Sequence, residues 1–302
     1  MEERGMNARI RKLRRESLET LPRIDMERAK YFTETYRQYE GTVSIPELRA
    51  LALKNYFEKK TIEIGEGELI VGEKGCGPQA SPTFPDLCCH TAEDLRVMNE
   101  RELISFRVTD EDIAFQQQDM LPYWEKRSIR HKILSHMTPE WKAAYRAGIF
   151  TEFMEQRGPG HTVGSENIYR KGFLEYKEDI GRELERLDYL NDPEALDKEA
   201  ELKGMSIACD AIILLASRYA QLAEKLAEEC GDEGRKAELL QIAENCRMVP
   251  ACNLLAGDSD VLVCPSGSDY RTESMGCLQS GKAGSASDPF LPERRGRRAA
   301  GC

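Results

Sequence analysis

Apolar side chains recur every three to four residues through most of the first 250 positions, and that period predicts a succession of amphipathic helices. Ile10, Leu13, Leu18 and Leu21 follow it beside Arg11, Lys12, Arg14 and Arg15, and Pro22 stops the helix they predict, whose basic face is expected to be solvated. A second helix starts after Asp25 as its cap, carries Met26, Ala29, Phe32, Tyr36 and Tyr39, and ends at Gly41, where a left-handed residue belongs. The third opens with a capping box, Ser44 to Glu47, has Pro46 in its first turn, and places Leu48, Leu51 and Tyr56 on one face.

From Thr61 the pattern shortens. Leu69, Ile70 and Val71 between Gly67 and Gly72 predict a short buried strand. Helical periodicity returns from Ala92 to Ile104 and from Asp110 to Ser135. Thr138, Pro139 and Trp141 open a short helix that Gly148 closes. Further helices are predicted from Phe173 to Leu190, along the stripe Met205, Ala208, Ile212, Leu215, Tyr219, Leu222 and Leu226, and around Leu239, Leu240, Ile242 and Ala243. The fold class is therefore mostly α, with one or two short strands up to about Cys246.

Composition narrows the function. A net charge of -10 argues against a nucleic-acid partner, which would need a clustered basic surface. The longest apolar run, Ala211 to Ala216, is too short to cross a membrane, and the charged N-terminus has no signal-peptide core, so a cytoplasmic location is expected. The ten cysteines show no paired spacing and are expected to be thiols.

The chemistry-bearing stretch is GIFTEFMEQRGPGHTVGSENIYRKGF, Gly148 to Phe173, where apolar residues, Glu152, Glu155, Arg157 and His161 crowd around a Gly-Pro-Gly break. A histidine after such a turn is also commonly a hydrogen-bonded loop residue, and both readings stay open. The loop GEKGCGPQASPTFPDLCCH lacks the Gly-Lys-Ser/Thr ending of a phosphate cradle. Cys88, Cys89 and His90 have no second ligand pair at zinc spacing and read as inert thiols, and His131 and His136 lie five apart, off a common helical face. No metal site is expected.

The segments IDMERAKYFTETY, IPELRALALKNYFEKKTIEIGEGELIVGEKG, DLCCHTAEDL, MTPEWKAAYRAGIFTEFMEQRGPGHTV and IACDAIILLASRYA resemble the N-terminal part of glycyl radical enzymes of the pyruvate formate-lyase family, over Arg9 to Pro250. Within the family the likeness is greatest to members that dehydrate trans-4-hydroxy-L-proline. The resemblance implies the N-terminal helical part of a ten-stranded α/β barrel, in which a glycyl radical passes to a cysteine thiyl that takes a hydrogen from substrate. It implies a radical-activating enzyme that uses S-adenosylmethionine and an iron-sulfur cluster, and a homodimeric parent. By the same resemblance Phe153 walls the substrate pocket and His161 is a polar contact for the substrate. None of the ten cysteines sits in the family's thiyl motif and no glycyl loop is present, so no catalytic residue and no bound cofactor are assigned to the 302 residues, which are expected to be inactive alone. The stripe from Met205 to Leu226 would then face absent barrel elements and leave an exposed apolar patch. Alternative readings are another glycyl radical lyase, of diol, glycerol, choline, isethionate-like or C-acetyltransferase type, and a non-catalytic fragment that associates with full-length subunits.

The domain reading divides the chain into residues 1–250, the family-like part, and residues 251–302. In the latter Lys282 and five arginines balance six acidic residues, Gly, Ser and Pro are frequent, and neither period is present. Read one base later, synonymous codons for Gly257 to Leu291 can spell AIQMYWFVHLG and TELNPWDAFSPGRLDQHL, with Trp forced at Met275-Gly276. The tail is therefore expected to be a frameshift product that was never selected to fold.

Overall fold

The computed structural model describes residues 7–149 and 171–250. Helix α1 (Ala8–Glu19) is capped by the Asn7 side chain and leads to strand β1 (Arg23–Asp25). Then come α2 (Glu27–Tyr39), ended by Gly41 at φ +79°, and α3 (Ile45–Lys59), with the expected Ser44–Glu47 capping box. Strand β2 (Ala80–Pro82) follows, and its three residues pair in parallel with β1, Ile24 opposite Ser81. Helix α4 (Ala92–Glu100) precedes α5 (Asp110–Phe115), a π-helical turn (Gln116–Met120) and α6 (Leu121–Trp124). Helices α7 (Ile129–His136) and α8 (Pro139–Arg146) complete the first described part, α8 closing at Gly148 with φ +70°. The second part holds α9 (Phe173–Glu185), α10 (Ala195–Glu229) and α11 (Glu233–Met248).

Helix α10 is the central post. It packs on α3, α11 and α9, and α2 packs on the other side of α3. Gly204 permits the closest approach, since a Cβ there would lie 3.0 Å from the backbone carbon and oxygen of Pro46 at the start of α3. Tyr219, Phe32, Phe57 and Ile242 are buried in this main core, each worth about 1.5–3 kcal/mol of transfer energy. Two satellites adjoin it: Met26, Leu95 and Val108, and Ala29, Met120 and Trp124. In the latter the Trp124 indole donates to Thr33 Oγ1 at 2.7 Å, and that hydroxyl donates to Ala29 O at 2.6 Å, so the buried polar atoms are satisfied.

Several expectations are corrected. The Met205–Leu226 stripe does not form a large exposed patch: Ile212, Leu215 and Tyr219 are buried against this chain's own helices, and Met205 is its exposed member. Leu69–Val71 is not a strand, and Ile70 is 55% exposed. Carbonyls around it are taken by long cationic side chains instead of a neighbouring strand: Gly65 O and Glu68 O accept from Arg235, and Glu73 O and Lys74 O from Lys60. The predicted helix to Ile104 stops at Glu100. The Asp110–Ser135 helix is broken after Trp124 because Ser128 starts a new one, its hydroxyl accepting the His131 N–H. The basic face of α1 is exposed at Arg11, Arg14 and Arg15, as expected, while Lys12 pairs with the exposed Glu66.

Candidate functional site

Phe153 and His161, the sequence-derived substrate contacts, lie outside the described residues, as do residues 251–302. The elements that flank the chemistry-bearing stretch are described. On its N-terminal side, α8 is capped by Thr138, whose hydroxyl accepts the Trp141 N–H at 3.3 Å. An open groove of 510 Å³ between α7 and α8 is lined by Lys132, Ile133, His136, Met137, Thr138 and Trp141. On the C-terminal side, Phe173 packs against the main core and the Leu174 N–H donates to Pro250 O at 2.8 Å. That bond ties the start of α9 to the end of α11.

A buried ion pair orients the corner that leads into α8. Arg28, on α2, is held between the Phe32 and Phe84 rings, 3.8 and 4.0 Å from their centroids. It donates to both Asp86 oxygens, at 2.8 and 3.2 Å, and to Thr83 O. A planar guanidinium suits both the stacking and the forked carboxylate contact, which an ammonium could not reproduce. The backbone next to Asp86 then seats α7: Ile129 N–H donates to Asp86 O and Arg130 N–H to Leu87 O, both at 2.9 Å. Arg130 continues the path, donating to Cys88 Sγ at 3.3 Å and to the Tyr145 hydroxyl of α8 at 2.9 Å. Cys89 turns elsewhere, accepting from Gln116 Nε2 at 3.6 Å, and burial pushes its thiol up to about 12, so it is protonated at neutral pH. Among the described residues no group of three or more His, Cys, Asp and Glu side chains is placed to hold a metal ion.

A strongly perturbed amine is that of Lys60, at the C-terminus of α3. It is fully buried, and its Nζ donates to Glu73 O and Lys74 O. Burial pushes the amine down to about 8, against the opposing pull of Asp25, Glu27 and Glu73. Burial also raises the carboxyls of Asp25 and Glu73. Around this centre the Tyr56 hydroxyl donates to Lys74 O at 2.6 Å, Arg218 donates to Phe57 O and Lys60 O, and Asp25 accepts from Cys76 N–H at 2.8 Å. The amine has no solvent-exposed surface, so the arrangement fixes residues 61–79 on the helices; it does not present a nucleophile.

Sequence reasoning missed Lys60 and the Arg28–Asp86 pair. Arg28 stands on the side of its helix that carries Phe32 one turn later, a charge on an apolar stripe, whereas Lys60 follows Glu58 and Lys59 in a charged run and gives no such signal. For Arg28 that placement was the available signal, but it does not identify the partner across the fold.

Comparison with known proteins places this architecture. The sequence model of the pyruvate formate lyase-like family matches residues 3–253, and the chain belongs to that family. Among its relatives is the trans-4-hydroxy-L-proline dehydratase of Clostridioides difficile, 54% identical over 248 residues that cover 82% of this chain and 31% of the relative. The crystal structure of the hydroxyproline dehydratase of that organism, with trans-4-hydroxy-L-proline bound, superposes with a TM-score of 0.79 at 53% identity, over 83% of this chain and 32% of that one. A glycyl radical enzyme from Archaeoglobus fulgidus gives a TM-score of 0.73 at 30% identity, over 81% and 31%. The mostly helical fold is thus a partial glycyl radical enzyme fold, and the chain spans about a third of the length of the relatives it matches.

Proposed function

We propose that these residues are the N-terminal part of a glycyl radical dehydratase that removes water from trans-4-hydroxy-L-proline to give 1-pyrroline-5-carboxylate. The observation that carries the reading is the 54% identity to a hydroxyproline dehydratase, against 33% or less for the isethionate, sulfopropanediol and indoleacetate enzymes that also match. In this reading Phe153 walls the substrate ring and His161 is a polar contact near the departing hydroxyl or the carboxylate. The glycyl radical belongs to the remaining two thirds of the family's length and is installed by an activating enzyme with S-adenosylmethionine and an iron-sulfur cluster. The 302 residues alone do not turn over substrate. The parent is a cytoplasmic homodimer; no helix among the described residues is long and apolar enough to cross a membrane.

The test is a family-length protein carrying residues 1–250 of this chain, activated anaerobically. Radical content by electron paramagnetic resonance and product formation are read on the same sample. Phe153→Ala is expected to lower turnover by about a hundredfold, the cost of a misplacement of about an ångström. His161→Ala is expected to lower turnover with radical yield unchanged. Full turnover in both variants, or turnover by the 302-residue chain, would overturn the reading.

A further inference from the structure

Helix α8 buries none of its residues, so packing into the core does not fix its direction. Its last turn is defined through Tyr145 in two ways. The Tyr145 carbonyl accepts the Gly148 N–H at 3.0 Å, and Ala144 O accepts the Ile149 N–H at 3.1 Å. This pair of bonds needs the left-handed Gly148, at φ +70°, and sets the angle at which the chain leaves the helix. The Tyr145 hydroxyl accepts from Arg130 Nη2 at 2.9 Å, and that bond sets where the turn sits relative to α7.

Arg130 can act as a fixed point because it is held from two sides. Its own N–H donates to Leu87 O at 2.9 Å, and its Nη1 donates to the neighbouring Cys88 Sγ at 3.3 Å. Both acceptors follow directly on Asp86, which the buried Arg28 grips. The two terminal nitrogens of one planar fork therefore serve different elements, Nη1 the 86–88 corner and Nη2 the end of α8, and a single ammonium would not reproduce that geometry.

We propose that Arg130 and Tyr145 are positioning residues for the substrate. They hold the end of α8, from which the Gly148–Phe173 stretch starts, and so set how closely the substrate contacts of that stretch meet the reacting molecule. The inference rests on the reading that Phe153 and His161 touch the substrate, and it adds two residues outside their loop on which those contacts depend. Neither residue is assigned a contact with substrate or radical; their effect is on orientation, where a misplacement of about an ångström costs on the order of a hundredfold in rate.

The test uses the family-length protein carrying residues 1–250 of this chain, with turnover expressed per glycyl radical counted by electron paramagnetic resonance. That ratio separates positioning from folding, because a variant that only folds poorly loses radical and turnover together. Tyr145→Phe, which deletes only the hydroxyl, and Arg130→Met are each expected to lower turnover per radical about tenfold with radical yield unchanged. The double variant should lose no more than the worse single one, since both changes remove the same bond. Arg130→Lys should recover only part of the loss. Parent-like turnover per radical in Tyr145→Phe, while Phe153→Ala and His161→Ala are impaired, would overturn the positioning role and leave the substrate reading standing. Losses that add in the double variant would overturn it too, and so would a fall in radical yield that accounts for all of the lost turnover. Full turnover in both Phe153→Ala and His161→Ala would overturn the substrate reading and this inference with it.

Discussion

Lysine 60 allows a stability prediction whose sign runs against intuition. Replacing it with methionine removes the ammonium and keeps most of the volume. Its amine falls from an ordinary value of 10.5 to about 8 in the fold, because burial penalises the charged form more than Asp25, Glu27 and Glu73 support it. At about 1.36 kcal/mol per pKa unit, the charged amine costs the folded state about 3 kcal/mol below pH 8. Between pH 8 and 10.5 the unfolded chain binds more protons at this site than the folded one, so raising the pH stabilises the fold, and above 10.5 the cost is gone. The assay is urea unfolding of the parent chain and of Lys60→Met from pH 7 to 9.5, read as the difference between them so that other titrating groups cancel. The parent is expected to gain about 2 kcal/mol relative to the variant over that range. Losing the bonds to Glu73 O and Lys74 O sets a constant offset and not the slope. A difference that is flat with pH, or that falls as pH rises, would show that the amine is solvated and refute the burial argument.

Two further outcomes follow from the packing. Arg28→Met should cost about 3–5 kcal/mol, measured by denaturant unfolding, because it leaves the Asp86 carboxylate buried without its forked partner. Replacing both residues, as Arg28→Met with Asp86→Leu, should recover a large part of that loss. Gly75→Ala would put a Cβ 2.4 Å from Ala80 O, so a drop of about 1–3 kcal/mol is expected, and a thermal melting temperature equal to that of the parent would contradict the geometry.

The helices were legible because their signals are local. The Ser44–Glu47 box, the Thr138 cap and the left-handed glycines at 41 and 148 act within one turn, and they sit where the apolar period begins or ends. The departures come from distant residues. Leu69–Val71 has the composition of a strand, yet Arg235 and Lys60 satisfy the neighbouring carbonyls. The stripe on α10 was legible as apolar, but its partners, α3 and α11, could not be identified from periodicity alone. For the site, the stretch that carries Phe153 and His161 stood out by its Gly-Pro-Gly break, while the Arg28–Asp86 pair spans 58 positions and the Arg130–Cys88 contact 42.

The clamping of residues 61–79 has a consequence for the order of events on the ribosome. Within that segment Arg235 bonds to Gly65 O across 170 positions and to Glu68 O across 167, and just before it Arg218 bonds to Phe57 O across 161. The carbonyls of this segment therefore leave the tunnel long before the guanidinium groups that satisfy them have been synthesised. In the interval the segment is held by nearer partners, Lys60 and Tyr56 at Glu73 O and Lys74 O, Glu27 at Thr61 and Asp25 at Cys76, and water must fill the places of the two guanidinium groups. Its final shape is a late event of synthesis, set when the end of α10 and the start of α11 arrive, although it is encoded in the first quarter of the chain.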